Sequence, residues 1–284
     1  MQVQWDCHMH MVLDGENWRE AIRRHSQGPD MDYIRSVLAE YKRQGFTYLR
    51  DGGDRWGVGK AARSVASEYG ITYRTPLAPL CLEGNYGSFI GECYVNLEEY
   101  IQLVRKIRAA GGDFIKIMIS GLMDFDRFGV LTQEGLPKKL IRELVAVAHG
   151  EGMAVMAHAN GAETIAIAAG AGVDSVEHGA YADEKALDAM GQAGTVWVPT
   201  LSTIGNLRGT GRFHETAVEK ILESAMCNVR DFAAMGGSIA PGSDAGAWAV
   251  PHGCCTEYGL LREALGESAE EILTAGAGQI QSKF

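Results

Sequence analysis

Eight short apolar runs, alternating with amphipathic stretches through 284 residues, predict an α/β chain folded as a parallel (β/α)8 barrel of the TIM type. The length agrees, since eight units averaging about 35 residues fit a barrel of roughly 250 residues plus insertions. No G-x-G-x-x-G follows the first run, which weakens the alternative of a doubly wound sheet.

The strands are expected near residues 3–6, 46–50, 72–80, 114–119, 154–157, 175–178, 196–200 and 238–241. Between them, Ile34, Val37, Leu38 and Tyr41 recur at helical spacing and stop at Gly45. Leu140, Ile141, Leu144, Val145 and Ala148 do the same before Gly150. Longer loops at 12–29, 81–95, 120–132 and 201–213 follow strands 1, 3, 4 and 7, and in a barrel all of them surround one mouth. No linker, low-complexity tract or charge block interrupts the pattern, so residues 1–284 are expected to form a single barrel domain, with no accessory β-sandwich evident.

A formal net charge of -10 argues against nucleic acid or an anionic membrane surface as partner, because both reward clustered Lys and Arg. The first residues contain no basic and apolar leader, and no apolar run approaches the roughly 18 residues of a membrane span. A cytoplasmic protein is expected, with a homo-oligomer left open. Cys7, Cys81, Cys93, Cys227, Cys254 and Cys255 contain no C-x-x-C pair and suit a reducing compartment. The adjacent Cys254 and Cys255 bridge only with strain and read as small packing residues.

The chemistry collects at strand ends. His8 and His10, two residues apart, project together from the end of strand 1 and make half of a divalent-metal site, with zinc the first candidate. Lys116, His158, His178 and Asp244 each lie at or just beyond the end of another candidate buried strand. Singly, such residues are explained by a hydrogen-bonded core histidine, a snorkelling lysine or a turn aspartate. Together those explanations need six coincidences. Lys116 is the hardest to dismiss, because Phe114, Ile115, Ile117 and Met118 flank it, and burying an ammonium lowers its pKa.

The order His-x-His, Lys, His, His, Asp resembles the amidohydrolase superfamily in its binuclear-metal subtype. Leu49-Arg50-Asp51-Gly52-Gly53, Phe114-Ile115-Lys116-Ile117-Met118, Val176-Glu177-His178-Gly179, Val198-Pro199-Thr200-Leu201 and Gly242-Ser243-Asp244-Ala245-Gly246 are similar to strings of its imidazolonepropionase-like and prolidase-like branch. The resemblance implies two divalent ions, most simply zinc, and a carbon dioxide-derived carbamate on Lys116 that bridges them. It assigns one ion to His8, His10 and Asp244 and the other to His158 and His178. Many relatives carry a β-sandwich before strand 1 and after the last helix, and none is expected here. Prolidase-like relatives tend to have Gly-Gly-His-Gly after strand 3, where this chain has Gly84-Asn85-Tyr86-Gly87, so Tyr86 becomes the candidate for polarising a carbonyl.

By the same resemblance a metal-bridging hydroxide attacks a carbon–nitrogen bond, and Asp244 carries its proton to the leaving nitrogen. A small amide, N-acyl amino acid or dipeptide is the expected substrate. Arg19, Arg23 and Arg24 in the first loop, and Arg127, Arg208 and Arg212 in later ones, are candidate carboxylate anchors, with Trp248 and His252 candidate pocket residues. A deaminase acting on an aminated heterocycle is the alternative. It leaves Lys116 unexplained and expects a glutamate three residues beyond the strand-5 histidine, whereas the next one after His158 is Glu163. A non-catalytic barrel scaffold expects a lost ligand, and all six candidates are present.

Overall fold

The computed structural model describes residues 4–284. The elements are, in order, β1 (Gln4–Met9), α1 (Trp18–Arg24), α2 (Met31–Gln44), β2 (Phe46–Asp51), α3 (Val58–Val65), β3 (Thr72–Arg74), β4 (Leu80–Leu82), β5 (Glu92–Tyr94), α4 (Leu97–Ala109), β6 (Ile115–Met118), α5 (Lys138–Gly150) and β7 (Val155–Ala159). There follow α6 (Ala162–Ala171), β8 (Ser175–His178), α7 (Glu184–Ala193), β9 (Val196–Val198), α8 (Ser202–Gly205), α9 (Glu215–Ala234), α10 (Thr256–Leu265) and α11 (Ala269–Lys283). The alternation is that of the expected TIM-type barrel. Val3, the start of the first expected strand, lies outside the described residues, and β1 runs on through His8.

All strand pairs are parallel, in the orders β1-β2-β3 and β5-β4-β6-β7-β8-β9. The expected eighth strand, 238–241, is reduced to one bridge, Ile239 to Trp197, yet its backbone closes the ring. Trp197 N–H donates to Ser238 O at 2.9 Å on one side, and Cys7 N–H donates to Pro241 O at 2.8 Å on the other. A Cβ on Gly242 would overlap Val198 and crowd the His8 backbone, so this closure requires glycine there.

The expected strand 72–80 is split into β3 and β4. Pro76 and Pro79 offer no N–H to a ladder, and Leu77 takes a φ of 66°, so pairing stops and resumes one strand further round. The short β5 beside β4 was not anticipated. The helix of Ile34, Val37, Leu38 and Tyr41 does stop at Gly45, whose φ is 92°. The α5 helix continues through Gly150 and turns instead at Gly152, with φ 73°.

Ala277 and Ile280 of α11, with Phe284, pack against Cys7, Tyr48, Phe114, Met156, Val196, Val198 and Ala240 inside the ring. These positions are N-terminal, along their strands, to His8 and His158, so the apolar plug fills one end and the polar strand ends open at the other. Among the described residues no helix is long and apolar enough to cross a membrane.

Candidate active site

A cavity of about 660 Å³ opens at the C-terminal end of the barrel, and His8, His10, Lys116, His158, His178 and Asp244 all line it. One strand end after another supplies a group. Lys116 pairs with Met156 and Met118 with His158, so β6 and β7 present Lys116 and His158 on one face, while His178 pairs with Ala159 at the end of β8.

Ligand atoms of His8, His10 and Asp244 lie within 4.8 Å of one another. Asp244 Oδ1 stands 3.3 Å from His10 Nε2 and 3.5 Å from His8 Nε2. The His158 and His178 rings are 4.5 Å apart, and His178 is 5.0 Å from His8. Nitrogen and carboxylate donors in this spacing suit a divalent ion of the zinc type. Two buried polar atoms here, Lys116 Nζ and His10 Nδ1, have no hydrogen-bond partner among the described residues. Such orphans are costly unless a further group satisfies them, so the donor set fits a metal centre.

The other ring nitrogens are spoken for. His8 Nδ1 donates to Glu177 Oε2 at 2.7 Å, His158 Nε2 donates to Gly121 O at 3.1 Å, and His178 Nδ1 meets Thr200 Oγ1 at 2.8 Å. Each bond leaves the opposite nitrogen for the cavity, the arrangement that fixes the tautomer of a metal-binding histidine. Burial, then the Lys116 charge, pushes His8 well below the usual imidazole range and His158 down to about 3. Burial and the His158 ring do the same for His178. His8 and Glu177 therefore form a neutral-donor hydrogen bond, not an ion pair, and the imidazoles keep their lone pairs at neutral pH. Burial lowers Lys116 from 10.5 to about 8 against the pull of Glu177 and Asp244. A useful fraction of neutral amine follows at physiological pH.

Below these groups lies a pair that sequence spacing does not announce. Arg50 and Glu177, both fully buried, meet at 2.8 Å, and Arg50 also donates to Cys7 O at 2.7 Å and Ser175 Oγ at 3.0 Å. Arg50 thus holds the carboxylate that orients His8. Its signal was an arginine in the apolar run Phe46-Thr47-Tyr48-Leu49-Arg50, the same anomaly that marked Lys116.

The backbone is strained where it serves the cavity. His178, Thr200 and Asp244 have φ of 68°, 51° and 56°, left-handed values that cost of order 1–3 kcal/mol each for such residues. Regular alternation would send Glu177 and His178 to opposite faces, and the break at His178 lets both serve one site. Asp244 is held by its neighbour: Ser243 donates from N–H at 2.8 Å and Oγ at 2.5 Å to Asp6 of β1. A Cβ on Gly52 would overlap the His10 imidazole, so β2 seats that ring only through a glycine.

Of the expected substrate-contacting residues, Tyr86, Arg212 and Trp248 line the cavity. The Tyr86 ring is 4.8 Å from that of His158. The Arg212 guanidinium lies 4.0 Å over Trp248 and 5.4 Å over Phe213, and it has no ion-pair partner among the described residues. Arg127, Arg208 and His252 are placed elsewhere. Arg127 is largely exposed and donates to Asp124 at 2.7 Å; Arg208 donates to Gly205 O at 3.3 Å. His252 is packed beneath the first loop, donating to Leu13 O at 2.8 Å. The first-loop arginines are also outside the lining: Arg19 stacks on Trp18 and Arg24 pairs with Asp14 at 3.4 Å. Sequence reasoning missed the apolar wall of Trp18, Phe89, Phe125 and Phe213, which comes from loops too irregular to carry a periodic signal.

The sequence profile of the amidohydrolase family matches residues 6–275, and the chain belongs to that family. That family is typically dinuclear and metal-dependent, and three of the chain's donors form a possible His-His-Asp metal site. Its fold is similar to that of a Xaa-Pro dipeptidase with methionine bound in its active site, at 22% identity and TM-score 0.76 over 98% of this chain and 75% of that one. It is also similar to A. niger ochratoxinase, at 20% identity and TM-score 0.77, covering 98% and 70% of the two chains. A prolidase complexed with N-methylphosphonate-L-proline gives 23% identity and TM-score 0.77, covering 98% and 74%. No curated protein matches the chain by sequence.

Proposed function

We propose that this amidohydrolase, acting through a single barrel domain of residues 1–284, cleaves the amide bond of a small N-acyl amino acid or dipeptide. Two divalent ions, zinc in the first instance, would be held by His8, His10 and Asp244 and by His158 and His178, with a carbamate on Lys116 between them. The observation that carries this reading is the unpartnered Lys116 Nζ, buried among neutral imidazoles in one cavity. When bound, the ion pair supplies water made acidic enough to attack near neutral pH and an electrophile for the scissile carbonyl.

The chain's own residues do the rest. Asp244, beside His8 and His10, accepts the proton of the attacking water and returns it to the leaving nitrogen. Glu177 and Arg50 keep the His8 ring aimed and its Nε2 free. Tyr86 offers its hydroxyl beside His158 to the carbonyl oxygen. Arg212, stacked on Trp248 and otherwise unpaired, binds the substrate carboxylate, and the aromatic wall accommodates an apolar side chain or acyl group and excludes water. The deaminase alternative gains no support from Glu163, which is exposed in the first turn of α6.

The test is a hydrolysis screen of metal-supplemented protein against N-acyl amino acids, dipeptides and aminated heterocycles. Release of free amino acid from the first two classes, without deamination of the third, supports the assignment. Deamination alone would overturn it.

A further inference from the structure

Outside the metal centre, one pair of cysteines is in sulfur contact among the described residues. Cys81 of β4 and Cys93 of β5 are register partners on neighbouring parallel strands, and their sulfurs lie 3.1 Å apart. Cys81 is fully buried and Cys93 is exposed. Adjacent strands lie about 4.7–4.9 Å apart. That falls within the roughly 4.4–6.8 Å that a disulfide spans between Cα atoms. Side chains at paired positions of neighbouring strands point to one face, so neither strand has to turn to join them.

The pair sits at a consequential point. Residues 83–91 connect β4 to β5, and this loop supplies Tyr86, Phe89 and Ile90 to the cavity lining. Cys81 and Cys93 are the two sides of its stem. The loop is also anchored at Gln133, which accepts from Tyr86 N–H at 2.9 Å and donates to Asn85 at 2.8 Å, and at Arg55, which donates from its N–H to Ile90 O at 3.0 Å and from its guanidinium to Ser88 O at 3.2 Å. The adjacent Cys254 and Cys255, weighed above from sequence, have no comparable sulfur contact among the described residues.

We propose that Cys81 and Cys93 form a reversible disulfide that ties the stem of the cavity loop, made by exchange with a small-molecule disulfide of the glutathione class. Cys93, the exposed thiol, attacks first as its thiolate: its sulfur bonds to one sulfur of the small disulfide and one small thiolate leaves. Cys81 then releases its proton, its sulfur attacks Cys93 Sγ, and the second small thiolate leaves. Two protein thiols lose two electrons and two protons, and the small disulfide becomes two thiols. Burial pushes the Cys81 thiol up, so Cys81 is not the first to attack; in the second, intramolecular step its partner is already in contact at 3.1 Å.

The test uses the intact metal-loaded protein, glutathione disulfide as oxidant, and alkylation on denaturation. Cleavage after Glu83 and Glu92 separates the two cysteines, so a disulfide is read directly as a linked peptide pair. The expected result is that pair, with Cys81 and Cys93 no longer alkylated and both recovered by dithiothreitol. Cys81→Ser should stop at a glutathione adduct on Cys93, and Cys93→Ser should leave Cys81 a free thiol. The oxidised wild type should also melt about 3 °C or more above the reduced form, with no such shift in Cys93→Ser. Separate alkylation of Cys81 and Cys93 in treated wild type, or a persistent adduct on Cys93, would overturn the proposal. Linked peptides with an unchanged melting temperature would overturn the restraint on the loop.

Discussion

Replacing Arg50 with Met should destabilise the barrel floor beneath the metal site. Arg50 and Glu177 have no exposed surface, and the guanidinium makes three hydrogen bonds, to Cys7 O, Ser175 Oγ and Glu177 Oε1. Met refills most of the volume and can still pack against Phe284, 4.4 Å from the native guanidinium. The loss is therefore chiefly electrostatic: it leaves the Glu177 carboxylate buried without its cation, a change worth about 3–5 kcal/mol. At roughly 2 °C per kcal/mol for a chain of this size, the melting temperature should fall by roughly 6–10 °C. Urea denaturation of the metal-loaded protein measures the free energy, and an unchanged m value would show that the unfolded state is not the cause. The cycle is completed by Glu177→Gln and the double variant. Removing the carboxylate as well should recover at least about 1 kcal/mol of the sum of the single losses. An Arg50→Met protein within about 1 kcal/mol of wild type, or a strictly additive cycle, would refute the claim that this pair supports His8.

Asp244→Asn keeps an oxygen for the metal but cannot carry a proton, so both ions should remain while kcat falls by at least about 100-fold; near-normal turnover would assign the proton to another group. Arg212→Met should raise KM chiefly for substrates with a free carboxylate and spare their amidated analogues, and equal losses on both would remove Arg212 from substrate binding. Glu257, buried and raised from 4.5 to about 8, binds a proton in the folded state that the unfolded chain releases. Its contribution is complete below about pH 4.5 and is lost as pH rises to about 8, at up to about 1.4 kcal/mol per pH unit. Burial raises Glu257 against the pull of Ser202, whose N–H donates to Glu257 Oε2 at 2.7 Å and whose hydroxyl lies 3.0 Å from the same oxygen. Denaturation of loaded wild type and Glu257→Gln from pH 5 to 8 should show the shallower fall in the variant; parallel curves would mean that Glu257 is ionised throughout.

What could be read from the chain alone was whatever physical anomaly is local. A lysine among Phe114, Ile115, Ile117 and Met118, or a His-x-His at a strand end, announces itself because burial of such groups is costly without a reason. Strand positions were legible from apolar runs such as 155–157 and 196–198, which have no exposed face to alternate with. Arg50 and Glu177 pair across 127 residues. Neither residue declares the other, and only the closed ring brings β2 and β8 into reach. The left-handed backbone at Thr200 and Asp244 was equally hidden, since nothing in those residue types asks for a positive φ. Mouth-loop arginines were interchangeable in sequence because a guanidinium's partner is set by loop geometry. Arg127 has Asp124 three residues away, whereas Arg212 has two aromatic rings and an open cavity.

The metal content of Lys116→Ala against wild type tests the proposed centre most directly. Protein grown with zinc supplementation and analysed by mass spectrometry of its metals should carry two ions per chain in the wild type and about one in the variant, whose activity is lost with the second. One ion per chain in both proteins would contradict a lysine-bridged pair and leave the buried amine of Lys116 without the role assigned to it.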